Sequence, residues 1–87
     1  MITQLKVTIK TTEATLTYAE MGDIVVDSEE AVEITLPAPN NGLWYRISSV
    51  GEGEVTISHG ELEITTLAQN ENVLLIANGA TSWWYSK

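Results

Sequence analysis

The sequence has no cysteine, which excludes disulfide bonds, thiolate zinc sites and cysteine nucleophiles. It is also poor in cations, with four Lys and Arg against twelve Asp and Glu and a formal net charge of −8. Phosphate binding needs clustered basic side chains, and the cations here are scattered, so we expect no nucleic-acid partner. They are Lys6, Lys10, Arg46 and Lys87.

Long hydrophobic runs are lacking as well. The longest, residues 73–77, falls far short of the roughly 20 residues that cross a bilayer. Residues 1–10 alternate polar and apolar, whereas a secretory signal has a continuous apolar region of about 7 to 15 residues. We therefore expect a soluble protein made without a signal peptide and not inserted in a membrane.

The chain has 87 residues, which allows one domain, residues 1–87. A chain of this size buries roughly 60 to 65% of the surface that it exposes when unfolded, so its core is thin. A partner subunit would add to that core.

Alternation of apolar and polar residues is the main secondary-structure signal. A period of two places the aliphatic side chains on one face of a strand, as with Leu5, Val7 and Ile9, and predicts half-buried strands. Threonine and β-branched residues dominate and good helix formers are sparse, which also favours sheet. The alternating segments are residues 5–10, 14–18, 32–36, 55–57 and 62–64.

Two segments are apolar on both faces instead. They are predicted to be strands that are either covered on both sides or placed at a subunit contact, and the sequence does not choose between these. Their residues are the candidate oligomer interface: Ile24, Val25, Val26, Leu74, Leu75 and Ile76.

Glycine, asparagine and proline separate the strands at short intervals. No segment has a sustained 3.6-residue period, so we predict an all-β fold, a small antiparallel β-sandwich or barrel-like domain. Gly51 and Gly53 are expected in a hairpin turn rather than a nucleotide-binding loop. One helical turn is an alternative over residues 27–32, where Asp27 or Ser28 could cap it.

Residues 24–87 resemble the β-rich modules of bacteriophage tail-fibre, tail-tip and receptor-binding proteins. The order of the segments carries the resemblance, from a strand ending in Leu-Pro to an Asn-Gly turn followed by Trp and further aromatics. Ser58-His-Gly60 departs from the pattern, and residues 1–22 match nothing in it. The matching segments are residues 34–37, 43–47, 50–57, 61–64, 72–76 and 78–85.

The resemblance implies a structural or accessory role in the virion, often as a homotrimer, and supplies no catalytic residue. We therefore expect a non-enzymatic protein, located in the virion or the host cytoplasm, that contacts itself, other virion proteins or a host cell-surface glycan. One alternative is a tail assembly factor that is absent from the mature particle. A fold of this kind does not by itself decide between these roles.

A second alternative is a carbohydrate-binding module, because tryptophan and tyrosine rings can stack on sugars. In a strand, Trp83 and Tyr85 point one way and Trp84 the other, and Trp44 with Tyr45 repeats the arrangement. Aromatic side chains in a small all-β domain more often fill the core or a subunit contact. These five residues are the candidate saccharide or partner contacts.

Three groups of polar residues could form a catalytic or metal site: a glutamate pair, the single histidine and an acidic cluster. For each of them the sequence favours an ordinary structural role. Glu61 and Glu63 share one strand face like a glycosidase pair, which is also an ordinary polar pattern. His59 is the single histidine and lies beside a turn glycine, without a recognised nucleophile motif. A calcium-binding cluster is less plausible than a solvated face, and we expect no metal or cofactor. Its members would be Asp23, Asp27, Glu29, Glu30 and Glu33.

Overall fold

The structure is a computed structural model that describes residues 7–40, 42–79 and 82–87. Within these ranges the chain is all-β, as predicted, with one 3-10 turn at Tyr18–Glu20 between the second and third strands. The strands are β1 (Val7–Lys10), β2 (Ala14–Thr15), β3 (Gly22–Val26), β4 (Val32–Thr35), β5 (Trp44–Ser49), β6 (Val55–His59), β7 (Leu62–Leu67), β8 (Asn72–Asn78) and β9 (Ser82–Ser86).

The strands form two sheets, ordered β1-β3-β5-β8-β9 and β2-β4-β6-β7. The first six strands alternate between the sheets, so the chain winds as three stacked coils of two strands each. Backbone hydrogen bonds continue the stacking around one corner, where Asp27 N–H donates to Lys10 O at 2.9 Å and Val50 N–H to Val26 O at 3.0 Å. The last three strands close the stack.

The sheets are mixed, and the expectation of an antiparallel fold was wrong for the coiled part. Pairs β1–β3, β3–β5, β2–β4 and β4–β6 are parallel, whereas β5–β8, β6–β7 and β8–β9 are antiparallel. Parallel neighbours need a long crossover. Here the crossover is a strand of the opposite sheet, which short turn signals do not reveal.

One hydrophobic core lies between the sheets and draws on both of them. Alternate residues of most strands point into it, as the period of two predicts, whereas β1 contributes none of the buried members. The buried members are Leu16, Ile24, Val26, Ile34, Leu36, Leu43, Tyr45, Ile47, Val55, Ile57, Leu67, Val73, Leu75 and Ala77.

The corner loops of the second and third coils are in direct contact. Gly53 N–H donates to Ser28 O at 2.9 Å, and a Cβ on Gly53 would overlap the backbone of Glu30. Residues 27–31 lie against the loop that contains Gly53 and have no helical structure. The helical turn considered for residues 27–32 is therefore absent. The Gly51–Gly53 segment is also no hairpin, because it carries the chain from β5 to β6 in the other sheet.

Some aliphatic side chains face solvent, contrary to the alternation rule. Val7 is 50% exposed and Ile9 is 65% exposed, so the aliphatic side of β1 is its outer one. Leu5 lies outside the described residues. Leu62 is also exposed, at the start of β7 opposite His59, and the β6–β7 register shifts between Ile57 and Ser58.

Candidate functional site

The outer side of the five-stranded sheet carries large apolar side chains between polar ones such as Ser48, Asn72 and Ser86. Strand register places Val7 and Ile9 beside the outward positions of β3, which face away from buried Ile24 and Val26. The same alternation continues through β5, β8 and β9. We call this surface the apolar face; its apolar residues are Val7, Ile9, Val25, Trp44, Leu74, Ile76 and Trp84.

Two tryptophans flank an isoleucine near one end of the apolar face. Ile76 is the register partner of Trp44 on one side and of Trp84 on the other, so the three side chains form a row across β5, β8 and β9. All three are exposed, Trp84 by 54%. Ile76 and Trp84 also line a shallow hollow of about 330 Å³. The row is suited to contact with another flat, largely apolar surface.

Among the outward strand residues that the structure describes, one pair of opposite charges lies beside these apolar side chains. Asp23 on β3 is the register partner of Arg46 on β5, and the distance from Arg46 Nη1 to Asp23 Oδ1 is 4.0 Å. The side chains remain 55% exposed for Arg46 and 29% exposed for Asp23. This is a loose pair, in which Arg46 keeps more of its surface open to solvent or to a partner than Asp23 does.

The outer side of the four-stranded sheet has the opposite character. Register places threonines beside one another on β2 and β4, and again on β6 and β7. We call this surface the polar face; its residues are Thr15, Glu33, Thr35, Thr56 and Thr66. The polarity difference between the two faces is what singles out the apolar one.

The five aromatic residues that the sequence suggested as saccharide or partner contacts lie on different sides of the five-stranded sheet. Trp44 and Trp84 lie together on the apolar face, whereas Tyr45 is fully buried. Trp83 packs against Tyr45 with ring centroids 5.8 Å apart, and its indole N–H donates to Pro37 O at 3.2 Å. Tyr85 lies on the inner side of the edge strand β9 and is 44% exposed. Only two of the five therefore share one solvent-facing surface.

The candidate interface residues divide in the same way. Ile24, Val26 and Leu75 are fully buried in the core and have no surface for a partner. Val25, Leu74 and Ile76 point outward on the apolar face, where their exposure ranges from partial to substantial. These segments are thus covered on one side by the core and open on the other.

The remaining candidates are not assembled into a site. His59 lines a small cleft of about 90 Å³ together with Leu62, Ile64, Ser82 and Trp83, and no carboxylate is among the described residues that line it. Within the described part of the chain, no group of three or more His, Asp and Glu side chains could hold a metal ion. The acidic residues considered for calcium, Asp23, Asp27, Glu29, Glu30 and Glu33, stand mostly on exposed loop and strand positions, as do Glu61 and Glu63.

Sequence reasoning missed part of the apolar face. It placed Val7 and Ile9 toward the core, and it gave no role to the pair of Asp23 and Arg46. One available signal was the single arginine of the chain, which stands between two aromatic residues and an isoleucine. Which side of that strand faces solvent becomes known only from the register.

No protein-family model matches the chain, and no curated protein or solved structure matches it either. In the described ranges, no helix has the length and apolar character needed to span a membrane.

Proposed function

We propose that the chain is a non-enzymatic structural or accessory protein of a bacteriophage, acting through self-assembly as a homotrimer. Its further contacts would be other virion proteins or a host cell-surface glycan, in the virion or in the host cytoplasm where the particle is assembled. The observation that carries this proposal is the apolar face, with its exposed row of Trp44, Ile76 and Trp84.

An exposed surface of this composition is uncommon on a monomer. Contiguous apolar patches usually mark contacts with another protein, a membrane or a ligand. Closed symmetric homo-oligomers are a frequent way of covering such a patch. On the polar face, the outward strand positions hold threonine and glutamate, which suit contact with water. The apolar side chains on the outer side of the other sheet are instead suited to contact with a partner.

The resemblance to phage modules and the apolar face depend on the same strands. The aromatic segment at residues 43–47 overlaps β5, which contributes Trp44, and the aromatic C-terminal segment at residues 78–85 overlaps β9, which contributes Trp84. Both tryptophans are outward residues of segments that give the resemblance much of its character. This coincidence supports self-association through the apolar face.

Substitution of a residue in the row tests the proposal. Ile76→Lys places a charge at the centre of the row, and we expect it to turn a trimer into a monomer on light scattering behind a sizing column. Thr56→Lys on the polar face is the matched control and should leave the oligomer intact. An unmodified chain that is monomeric at all concentrations would contradict the proposal.

A saccharide-binding role is the second candidate. It is favoured by one observation, the position of Trp44 and Trp84 on the same exposed surface with Ile76 between them. Ring faces in such a row can stack on sugars, as aromatic side chains with a large apolar surface do. Tryptophan fluorescence across a glycan and cell-wall panel tests it: a response that Trp84→Ala removes would support it, and no response to any glycan would exclude it for that panel.

A further inference from the structure

We propose that the occupant of the apolar face is a second copy of this chain, held so that Arg46 of one copy pairs with Asp23 of the next. This inference rests on the proposed function and specifies its interface. In this interface the charges of Asp23 and Arg46 select the partner, and charge-reversing substitutions change that selection.

The charge balance of the apolar face favours a copy of the same chain. The chain as a whole has a net charge of −8, so most of its surfaces repel a second copy. On the outward strand positions of the apolar face, the described charged residues are Asp23 and Arg46, one of each sign. Two copies that meet there bring together surfaces without net charge.

The loose geometry of the pair leaves both groups available. At 4.0 Å, the contact between Arg46 Nη1 and Asp23 Oδ1 is at the limit of an ion pair, beyond ordinary hydrogen-bond distance. A guanidinium has five N–H donors, and a carboxylate accepts more than one hydrogen bond. A second copy can therefore add a closer, charge-assisted pair without first breaking a tight one.

The surrounding apolar side chains make this pairing selective. When the face is covered, Arg46 and Asp23 lose water, and a charge left without an opposite partner becomes costly. A purely acidic or purely basic partner would bring an excess charge of one sign against this neutral pair. A copy of the same face supplies both signs, reciprocally in a two-fold pair and cyclically in a trimer.

Two single charge reversals test the inference when they are studied separately and mixed. Asp23→Lys gives a face with two cations, and Arg46→Glu gives a face with two anions. We expect each variant alone to self-associate at least about tenfold more weakly than the unmodified chain, because like charges then meet across the interface. An equimolar mixture should recover association, since the two altered faces are complementary. Glu33→Lys on the polar face is the control.

Sedimentation and thermal melts separate the outcomes. If both variants self-associate like an oligomeric wild type, the inference fails and the proposed self-assembly survives. If both melt normally but do not associate when mixed, the pairing rule fails. A monomeric wild type would overturn the proposed function together with the inference, and a monomer whose tryptophan fluorescence responds to a glycan would assign the face to a saccharide.

Discussion

The phenol of Tyr45 donates a hydrogen bond of 2.6 Å to the backbone carbonyl of Thr17. Tyr45 belongs to the central strand of the five-stranded sheet, and Thr17 precedes the 3-10 turn on the way back from the other sheet. The bond therefore fastens the first coil onto the third through the core. Because Tyr45 also packs against Trp83, it links the coiled part of the chain to the last strand.

Tyr45→Phe should destabilise the protein by about 1 kcal/mol, because it leaves the Thr17 carbonyl without this donor. The substitution also tests an alkaline dependence. Burial, with a smaller effect from the charge of Glu20, raises the pKa of Tyr45 to about 12. The pKa of Tyr45 is therefore higher in the folded chain than in the unfolded chain, where it is about 10. As the pH rises from about 10 toward 12, ionisation of the phenol favours the unfolded chain, so stability is lost. Denaturant melts from pH 8 to 11.5 should show a loss that Tyr45→Phe reduces; equal losses in both proteins would contradict this.

The ion pair of Lys10 and Glu20 predicts an acid dependence. The Lys10 ammonium, with the Thr17 N–H, lowers the pKa of Glu20 despite the opposing effect of desolvation. Because the pKa of Glu20 is lower in the folded chain than in the unfolded chain, the ionised carboxylate stabilises the fold above about pH 4.5. This stability is lost as the pH falls from about 4.5 through the pKa of the folded chain. Glu20→Gln should be destabilised at pH 7 and converge toward the wild type at low pH. A constant difference between the two melts across this range would contradict the pairing.

Gly53 is required by the contact between the second and third coils. A side chain there would overlap the Glu30 backbone, which cannot move aside as the end of a flexible side chain can. We expect Gly53→Ala to cost at least about 2 kcal/mol in a denaturant melt. Gly60→Ala is the control, because its positive φ of 62° adds strain while the space around it is open. It should cost about 1 kcal/mol, and a similar loss at both glycines would contradict the stacked corners.

Core burial predicts the largest losses of stability. Ile57 and Leu75 come from opposite sheets and are fully buried, so Ile57→Ala and Leu75→Ala should each cost about 2 to 5 kcal/mol. Glu30→Ala, whose side chain is exposed, should be nearly silent. Losses below about 1 kcal/mol for both core variants in denaturant melts would contradict the shared core.

The sequence predicted where most strands lie but not how they pair. Alternation located the inward residues of β4 and β6 correctly, as Ile34 and Ile57 show, because burial of one strand face requires that period. Pairing depends on contacts between distant loops, such as Gly53 with Glu30, which no local pattern encodes. The parallel coils were missed for this reason.

The same limit applies to the candidate site. Period-two patterning divides a strand into two faces without saying which one is covered, and this is why Val7 and Ile9 were assigned to the core. Trp44 and Trp84 were identified as candidates because aromatic rings on strands can stack on sugars. Their position beside Ile76 follows from register, which the sequence does not specify.

Self-association is the central claim, and sedimentation equilibrium of the unmodified chain over a wide concentration range tests it most directly. We expect a mass near three times the 9.5 kDa of one chain, unchanged on dilution through the micromolar range. A mass of one chain at every concentration would contradict it, since the apolar face would then be stably exposed to water.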